Sequence, residues 1–294
     1  MQKVPELKST CISCIVKSRL EQFPKDTPEE QKKEYMMRVL QELNNMKDQH
    51  GPIIATCNII DIQKEMFGCS QNYGELKARF NQFVLEKEAY LQGNIQKTEE
   101  PLKRAIQYGI VGNLIDFFMM DSVDENRLEK MFSEASDYAL DEDTYQSLKH
   151  DIKDAKRIVV LLDNCGEIVV DKLLIQVLKE MNPSAQITAV VRGEEILNDA
   201  TMEDAIQVGL TDVVDVIGNG SKIPGTCLQF VSEEAKSIIE SADVILSKGQ
   251  GNFESLQGCD LNIYFIFLCK CDMIAELFGV PKFSPMLVKE RAVD

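Results

Sequence analysis

Histidine is scarce in this chain: there are two in 294 residues, His50 and His150, and neither lies near the loops that turn out to matter. That argues against a histidine-rich zinc site. Positive charge is also short, with 32 Lys and Arg against 48 Asp and Glu and a formal net charge of −16. Such a surface repels nucleic acid and anionic membranes, so neither is expected as a partner. No apolar run reaches the roughly 18 residues that a membrane span needs. The start, MQKVPELKSTCISC, lacks the apolar core of a secretory signal. There is no GxGxxG fingerprint, no internal repeat and no low-complexity tract. The nine cysteines are odd in number and show no disulfide framework. They are expected to be mostly reduced, in a cytoplasmic protein.

What is present divides into two patterns. With 44% hydrophobic residues the chain can bury a sizeable core. Residues 1–150 carry helical periodicity and little that reads as strand. TPEEQKKEYMMRVLQELNNMKDQHG has Thr27 as its expected N-cap, apolar residues at helical spacing and Gly51 beyond its end. NYGELKARFNQFVLEKEAYLQ and PLKRAIQYGIVGNLIDFFMM read as further helices. Residues 151–294 alternate short apolar runs (RIVVLL, QITAVV, VVDVI, DVILSK, NIYFIFLC) with helical stretches near 167–180, 201–209 and 232–241. That alternation predicts an α/β fold with a mostly parallel sheet, preceded by a helical cap domain over 1–150.

In a parallel α/β sheet, ligands bind beyond the carboxyl ends of the strands. Polar residues follow each of the first four runs. Asp163-Asn164-Cys165-Gly166-Glu167 comes after RIVVLL, and Arg192-Gly193 and then Asn198-Asp199 after QITAVV. GNGSKIPGT, with Ser221 and Thr226, follows VVDVI; KGQGNFESL, with Lys248, Asn252 and Glu254, closes DVILS. Asp163, Asn164 and Asp199 would offer three oxygens, suited to Mg²⁺, Mn²⁺ or a similar ion. The helix from Gly166 would present free N–H groups on which a phosphate could dock, and Lys248 and Arg192 could hold its remaining charge. An acidic protein could bind a phosphoester in this way.

Plainer roles stand beside these. Asp163-Asn164 and Asn198-Asp199 both suit helix capping. Glu167 and Asp171 could be first-turn charges complementing a helix dipole. Arg192 could pair with Glu194 or Glu195, Lys248 could be an exposed lysine, and Asn252 and Glu254 could cap the next helix. GNGSKIPGT could be a flexible loop. Cys11 and Cys14 have the spacing of a metal or redox pair, to which Cys69 could add a ligand, or they could simply pack; for Cys269 and Cys271 packing is the default.

LLDNCGEIVVDKLL, VVRGEEILNDATMEDA, GNGSKIPGT and SKGQGNFESL resemble the signature segments of the damage-control phosphatase family, also called domain of unknown function 89. AIQYGIVGNLIDF, with Gly112, Asn113 and Asp116, resembles its glycine-asparagine segment, and CISC resembles the CxxC pair of its stand-alone microbial branch. The resemblance spans nearly the whole chain. It implies an α/β/α sandwich with a helical cap and a metal-dependent phosphatase acting on small phosphorylated metabolites, sugar phosphates among them. It places the metal on Asp163, Asn164 and Asp199 and matches the family's lysine with Lys248. Beside it, the residues themselves suggest catalytic roles for Asp163 and Lys248, with Glu167, Arg192, Asn113 and Asn252 at the substrate. The ion would be Mn²⁺, Ni²⁺, Co²⁺ or Mg²⁺. Cys165 departs from the family's common alanine. The other readings such a rim allows are an S-adenosylmethionine-dependent methyltransferase and a non-enzymatic metabolite-binding protein. Nothing in the sequence fixes the oligomeric state.

Overall fold

The structure is a computed structural model and describes residues 7–46, 51–68, 73–114 and 125–290. Asp116, Cys69 and His50 lie outside the described residues. The helices before the sheet are α1 (Ser9–Leu20), α2 (Glu29–Asn45), α3 (Pro52–Phe67), α4 (Tyr73–Leu85), α5 (Glu88–Lys97), α6 (Pro101–Gly112), α7 (Glu125–Glu134) and α8 (Glu142–Asp154). Then follow β1 (Arg157–Leu161), α9 (Glu167–Met181), β2 (Gln186–Val191), α10 (Met202–Gln207), β3 (Asp215–Gly218) and α11 (Glu233–Glu240). The chain continues through β4 (Val244–Lys248), α12 (Gln250–Leu256), β5 (Ile263–Leu268), α13 (Asp272–Phe278) and β6 (Pro285–Lys289).

Local chemistry accounts for many of the boundaries. Asp141 accepts the Thr144 N–H and starts α8, and Ser232 accepts the Ala235 N–H and starts α11. Thr201 and Asp204 form a capping box at α10. Thr27 does not cap α2: its hydroxyl donates backwards to the Pro24 carbonyl at 2.7 Å, and Pro28 holds the cap position. The run VVDVI enters the sheet only at Asp215. The N–H groups of Val213 and Val214 both turn back to the Leu210 carbonyl, which leaves Asp215 as the first residue paired with β2.

The six strands run in the order β3-β2-β1-β4-β5-β6. The first five are parallel, and β6 pairs antiparallel with β5. Alternate side chains define two buried faces. Ile158, Val160, Val244, Leu246, Tyr264 and Ile266 pack under α4, α5, α6, α8 and α9; Val159, Leu161, Ile245, Phe265 and Phe267 pack against α11, α12 and α13. The result is a three-layer α/β/α sandwich. One buried cluster joins the later N-terminal helices to the sheet, whereas α1, α2 and α3 close a smaller cluster around Tyr35, Val39 and Ile59. On α6, a Cβ at Gly112 would stand 2.8 Å from the Val170 side chain, so glycine there lets α6 lie close on α9.

Strand order reverses between β1 and β4, the point where open α/β sheets form a crevice. Asp163 leaves β1 and Gly249 leaves β4 on either side of it.

Candidate functional site

The loops after β1, β2, β3 and β4 meet at this crevice. Those after β1 and β2 are joined through their backbones. Asn164 and Asp199 form an antiparallel bridge, the Ala200 N–H donates to the Asp163 carbonyl at 2.7 Å, and the Cys165 N–H donates to the Asn198 carbonyl at 2.8 Å. Asp163 and Asp199 therefore lie in one site.

Asp163 Oδ2 accepts from the amides of Asn113 (3.0 Å) and Asn164 (2.7 Å). The same two amides donate to Glu167 Oε2, at 2.9 and 3.1 Å. Arg192 Nε donates to Asp199 Oδ2 at 2.5 Å, while its terminal nitrogens reach Asp163 Oδ1 and the Thr226 hydroxyl at 3.5 and 3.4 Å. The Thr226 hydroxyl bonds Asn252 Oδ1 at 2.8 Å, and the Asn252 amide donates to the carbonyls of Leu162 and Lys248. Asn113, at the end of α6, also accepts the Leu268 N–H, which ties the helical half to β5.

Several residues differ from the expectations. Arg192 pairs with Asp199 and Asp163, not with Glu194 or Glu195. Lys248 is not an exposed lysine. Its ammonium is wholly buried between Glu167 and Asp171, 2.5 Å from each, so it lies behind Glu167 and not at the open rim. Asp171 is likewise no surface dipole charge; it lies one turn into α9, fully buried. The N–H groups at the start of α9 are not free for a phosphate. Gly166 donates to Asn81, Glu167 to the Cys165 carbonyl, Ile168 to the Asn164 carbonyl and Val169 to the Gly166 carbonyl. GNGSKIPGT is stitched down, since Asn219 Oδ1 accepts the N–H groups of both Gly193 and Ser221. Glu254 stands apart from the cluster, bonded to Gln250. Cys11 is buried with its sulfur 3.6 Å from that of Met273, Cys14 is exposed, and both are free thiols. Cys271 caps α13 through the Ile274 N–H.

Acidity dominates the site. Burial pushes the Asp163 carboxyl well above its ordinary range, and the charges of Glu167 and Asp199 push it further against the pull of Arg192 and Lys270. Burial also takes Asp171 up to about 7 despite Lys248. For Lys248, burial works against the ammonium, but Asp171 and Glu167 more than reverse it and raise its pKa. Four buried carboxyl groups (Asp163, Glu167, Asp171, Asp199) thus crowd together around two buried cations, Arg192 and Lys248. Buried charge is costly unless paired, so carboxyl groups crowded in this way hold on to protons that a cation could replace. Asp163 is its most accessible member, 9% exposed against 0% for Glu167, Asp171 and Lys248.

The donors fit a hard divalent ion. Among the described residues, no three Asp, Glu, Cys or His side chains converge tightly enough to hold a metal. An ion here therefore needs the Asn164 amide beside Asp163 and Asp199. In this structure Asn164 turns its nitrogen toward the carboxylates and its oxygen toward the Asn198 amide, at 2.9 Å; as a ligand it would present the oxygen.

The sequence reading missed Lys77 and Asn81 of α4, both buried against this rim. The available signal was two polar residues four apart on the same helical face as Phe80 and Val84.

A mostly parallel α/β sheet with an acid-lined crevice at its switch point defines a class of proteins that bind small molecules at that crevice. The family model for the damage-control phosphatase ARMT1-like domain matches residues 7–285. The chain belongs to this family. It is 31% identical to an uncharacterized protein of Methanocaldococcus jannaschii, MJ0202, over 97% of this chain and 95% of the relative. It is 35% identical to the damage-control phosphatase PH1575 of Pyrococcus horikoshii over 64% of each chain. A damage-control phosphatase of Archaeoglobus fulgidus matches at 31% over 74% of this chain and 75% of its own. The crystal structure of the DUF89 family protein from Pyrococcus horikoshii superposes with a TM-score of 0.82 at 26% identity, covering 98% of this chain and 100% of the other.

Proposed function

We propose that this protein is a metal-dependent phosphomonoester hydrolase acting on small phosphorylated metabolites such as sugar phosphates. The crowding of Asp163 with Glu167 and Asp199 in one buried crevice carries the reading. Asp163, Asn164 and Asp199 would hold Mn²⁺, Ni²⁺, Co²⁺ or Mg²⁺. When bound, such an ion supplies Lewis acidity toward a phosphoryl oxygen and lowers the pKa of water.

The chain's own residues do the rest. Asn113 and Asn164 fix the Asp163 carboxylate from two sides. Arg192, held by Asp199 and Thr226, places a guanidinium next to Asp163, where it can meet phosphoryl oxygens as charge builds on them. Lys248 bridges Glu167 and Asp171 and holds both in place, and so acts on the site through Glu167. Asn252 joins the loop after β4 to Thr226. The described cysteines are not joined in disulfides, which supports a reducing, cytoplasmic setting; among the described residues no helix is long and apolar enough to cross a membrane.

The test is hydrolysis of p-nitrophenyl phosphate by chelator-stripped protein, with and without each of the four ions. Turnover should depend on added metal and vanish in Asp163→Ala. Equal turnover in the presence of chelator, or full activity in the variant, would remove the reading. Thermal stabilisation by S-adenosylmethionine without any metal effect would point to methyl transfer instead.

A further inference from the structure

The two loops that carry the candidate ligands are gripped by a single helix from the N-terminal half of the chain, α4. Asn81 of α4 is completely buried, and its Oδ1 accepts the Gly166 N–H at 2.6 Å, two residues after Asn164. Its Nδ2 donates to Asp204 Oδ1 and Gln207 Oε1, both at 2.8 Å. Asp204 in turn accepts the N–H and the hydroxyl of Thr201, which lies two residues after Asp199. One turn before Asn81, Lys77 is buried and pairs with Asp204 at 2.7 Å, with the Thr201 hydroxyl at 3.5 Å. Every polar atom of the Asn81 side chain is thus engaged, one side by the loop that carries Asp163 and Asn164, the other by the helix that follows Asp199.

We propose that Asn81 is a positioning residue that braces the outer ends of these two loops, beyond the backbone bonds that join them at Asp163 and Asp199, and that Lys77 supports it by fixing Asp204. The inference rests on the reading of Asp163, Asn164 and Asp199 as ion ligands. Its physical basis is the backbone at Gly166, whose φ of 70° and ψ of −52° lie outside the helical region and begin α9. A peptide in that conformation keeps its orientation only while its N–H has a fixed acceptor, and the Asn81 side chain supplies one that no neighbouring backbone carbonyl replaces. With Asn81 shortened, the Gly166 N–H is left buried without this partner. The Asp163-Asn164 segment stays joined to Asp199 through the backbone bonds of Cys165 and Ala200 but loses its anchor on the α9 side, which loosens the orientation of the ligands while the ligands themselves are unchanged.

The experiment is a Mn²⁺ titration of chelator-stripped full-length protein by calorimetry. Asn81→Ala should weaken Mn²⁺ binding by about tenfold or more, the loss typical when a group that orients ligands is removed. Asn81→Asp combined with Asp204→Asn keeps an acceptor for Gly166, an amide donor across the contact and the total charge, and gives Lys77 a carboxylate one turn along its own helix in place of Asp204. It should restore affinity to within about threefold of the parent chain. Where Asn81→Ala does not fold, Asn81→Ser, which has no side-chain acceptor within reach of Gly166, is read by the same criterion. A lower melting temperature with unchanged Mn²⁺ affinity in the single variant overturns the positioning role, and so does failure of the double variant to recover affinity. Absence of Mn²⁺ binding by the parent chain sinks the ligand assignment itself, which keeps the two failures distinct.

Discussion

Gly249 lies against Asp163 so closely that a Cβ on it would stand 1.9 Å from Oδ2 and 2.1 Å from the carboxyl carbon. Its φ of 81° and ψ of 155° belong to a region that glycine alone occupies readily. The strand end at β4 is thus shaped to let the Asp163 carboxylate fill the crevice.

Gly249→Ala should therefore fail twice over, by backbone strain of about 1–3 kcal/mol and by displacement of the carboxylate. Chemical denaturation should show the lost stability, and metal-dependent hydrolysis should be abolished. Wild-type activity in this variant would mean that Asp163 does not need its observed position.

Removing the Lys248 ammonium should be worse for folding than removing a surface charge. Lys248→Met leaves Glu167 and Asp171 buried without their cation, a change that typically costs about 3–5 kcal/mol. Adding Asp171→Asn should recover part of that loss, because one buried charge goes with it. Urea denaturation of both variants checks the order. A Lys248→Met protein as stable as the parent would show that the cluster tolerates unpaired charge.

Much of this arrangement was legible in the sequence, and the reason is geometric. In a parallel sheet every strand ends at the same edge, so residues just after RIVVLL, QITAVV and DVILS had to meet, as Asp163, Arg192 and Asn252 do. The partnership of Lys248 with Asp171 was not legible. Helix α9 is buried almost all round, so Asp171 carried no sign of which way it faced. Strand β6 escaped notice because it begins with Pro285 and runs against its neighbour, outside the alternation of strand and helix that marks the others. Helix α4 hid Asn81 because its partners lie more than 80 residues along the chain, at Gly166 and Asp204.

Asn113 should couple the helical half to the site. Asn113→Leu removes the donors to Asp163 and Glu167 and the acceptor for the Leu268 N–H. Leaving such buried groups without partners costs about 1–3 kcal/mol each. The variant should lose both stability and metal-dependent hydrolysis, measured by denaturation and by turnover of p-nitrophenyl phosphate.

Glu254 should give stability a pH dependence unrelated to the ligands. Burial raises its carboxyl from 4.5 to about 7, opposed only by its bond from Gln250. The folded state then holds a proton that the unfolded chain has already released. Its contribution is complete below about 4.5, the unfolded value, and is lost as pH rises through about 7. Melting temperature should fall over that window, and Glu254→Gln should flatten the decline. An unchanged profile would show that Glu254 titrates normally.

The most direct test is calorimetric titration of Mn²⁺ into the chelator-stripped protein and its Asp163→Asn and Asp199→Asn variants. The account predicts saturable uptake of a single ion per chain in the parent and little or none in either variant. No uptake by the parent, or equal uptake by all three, would contradict it.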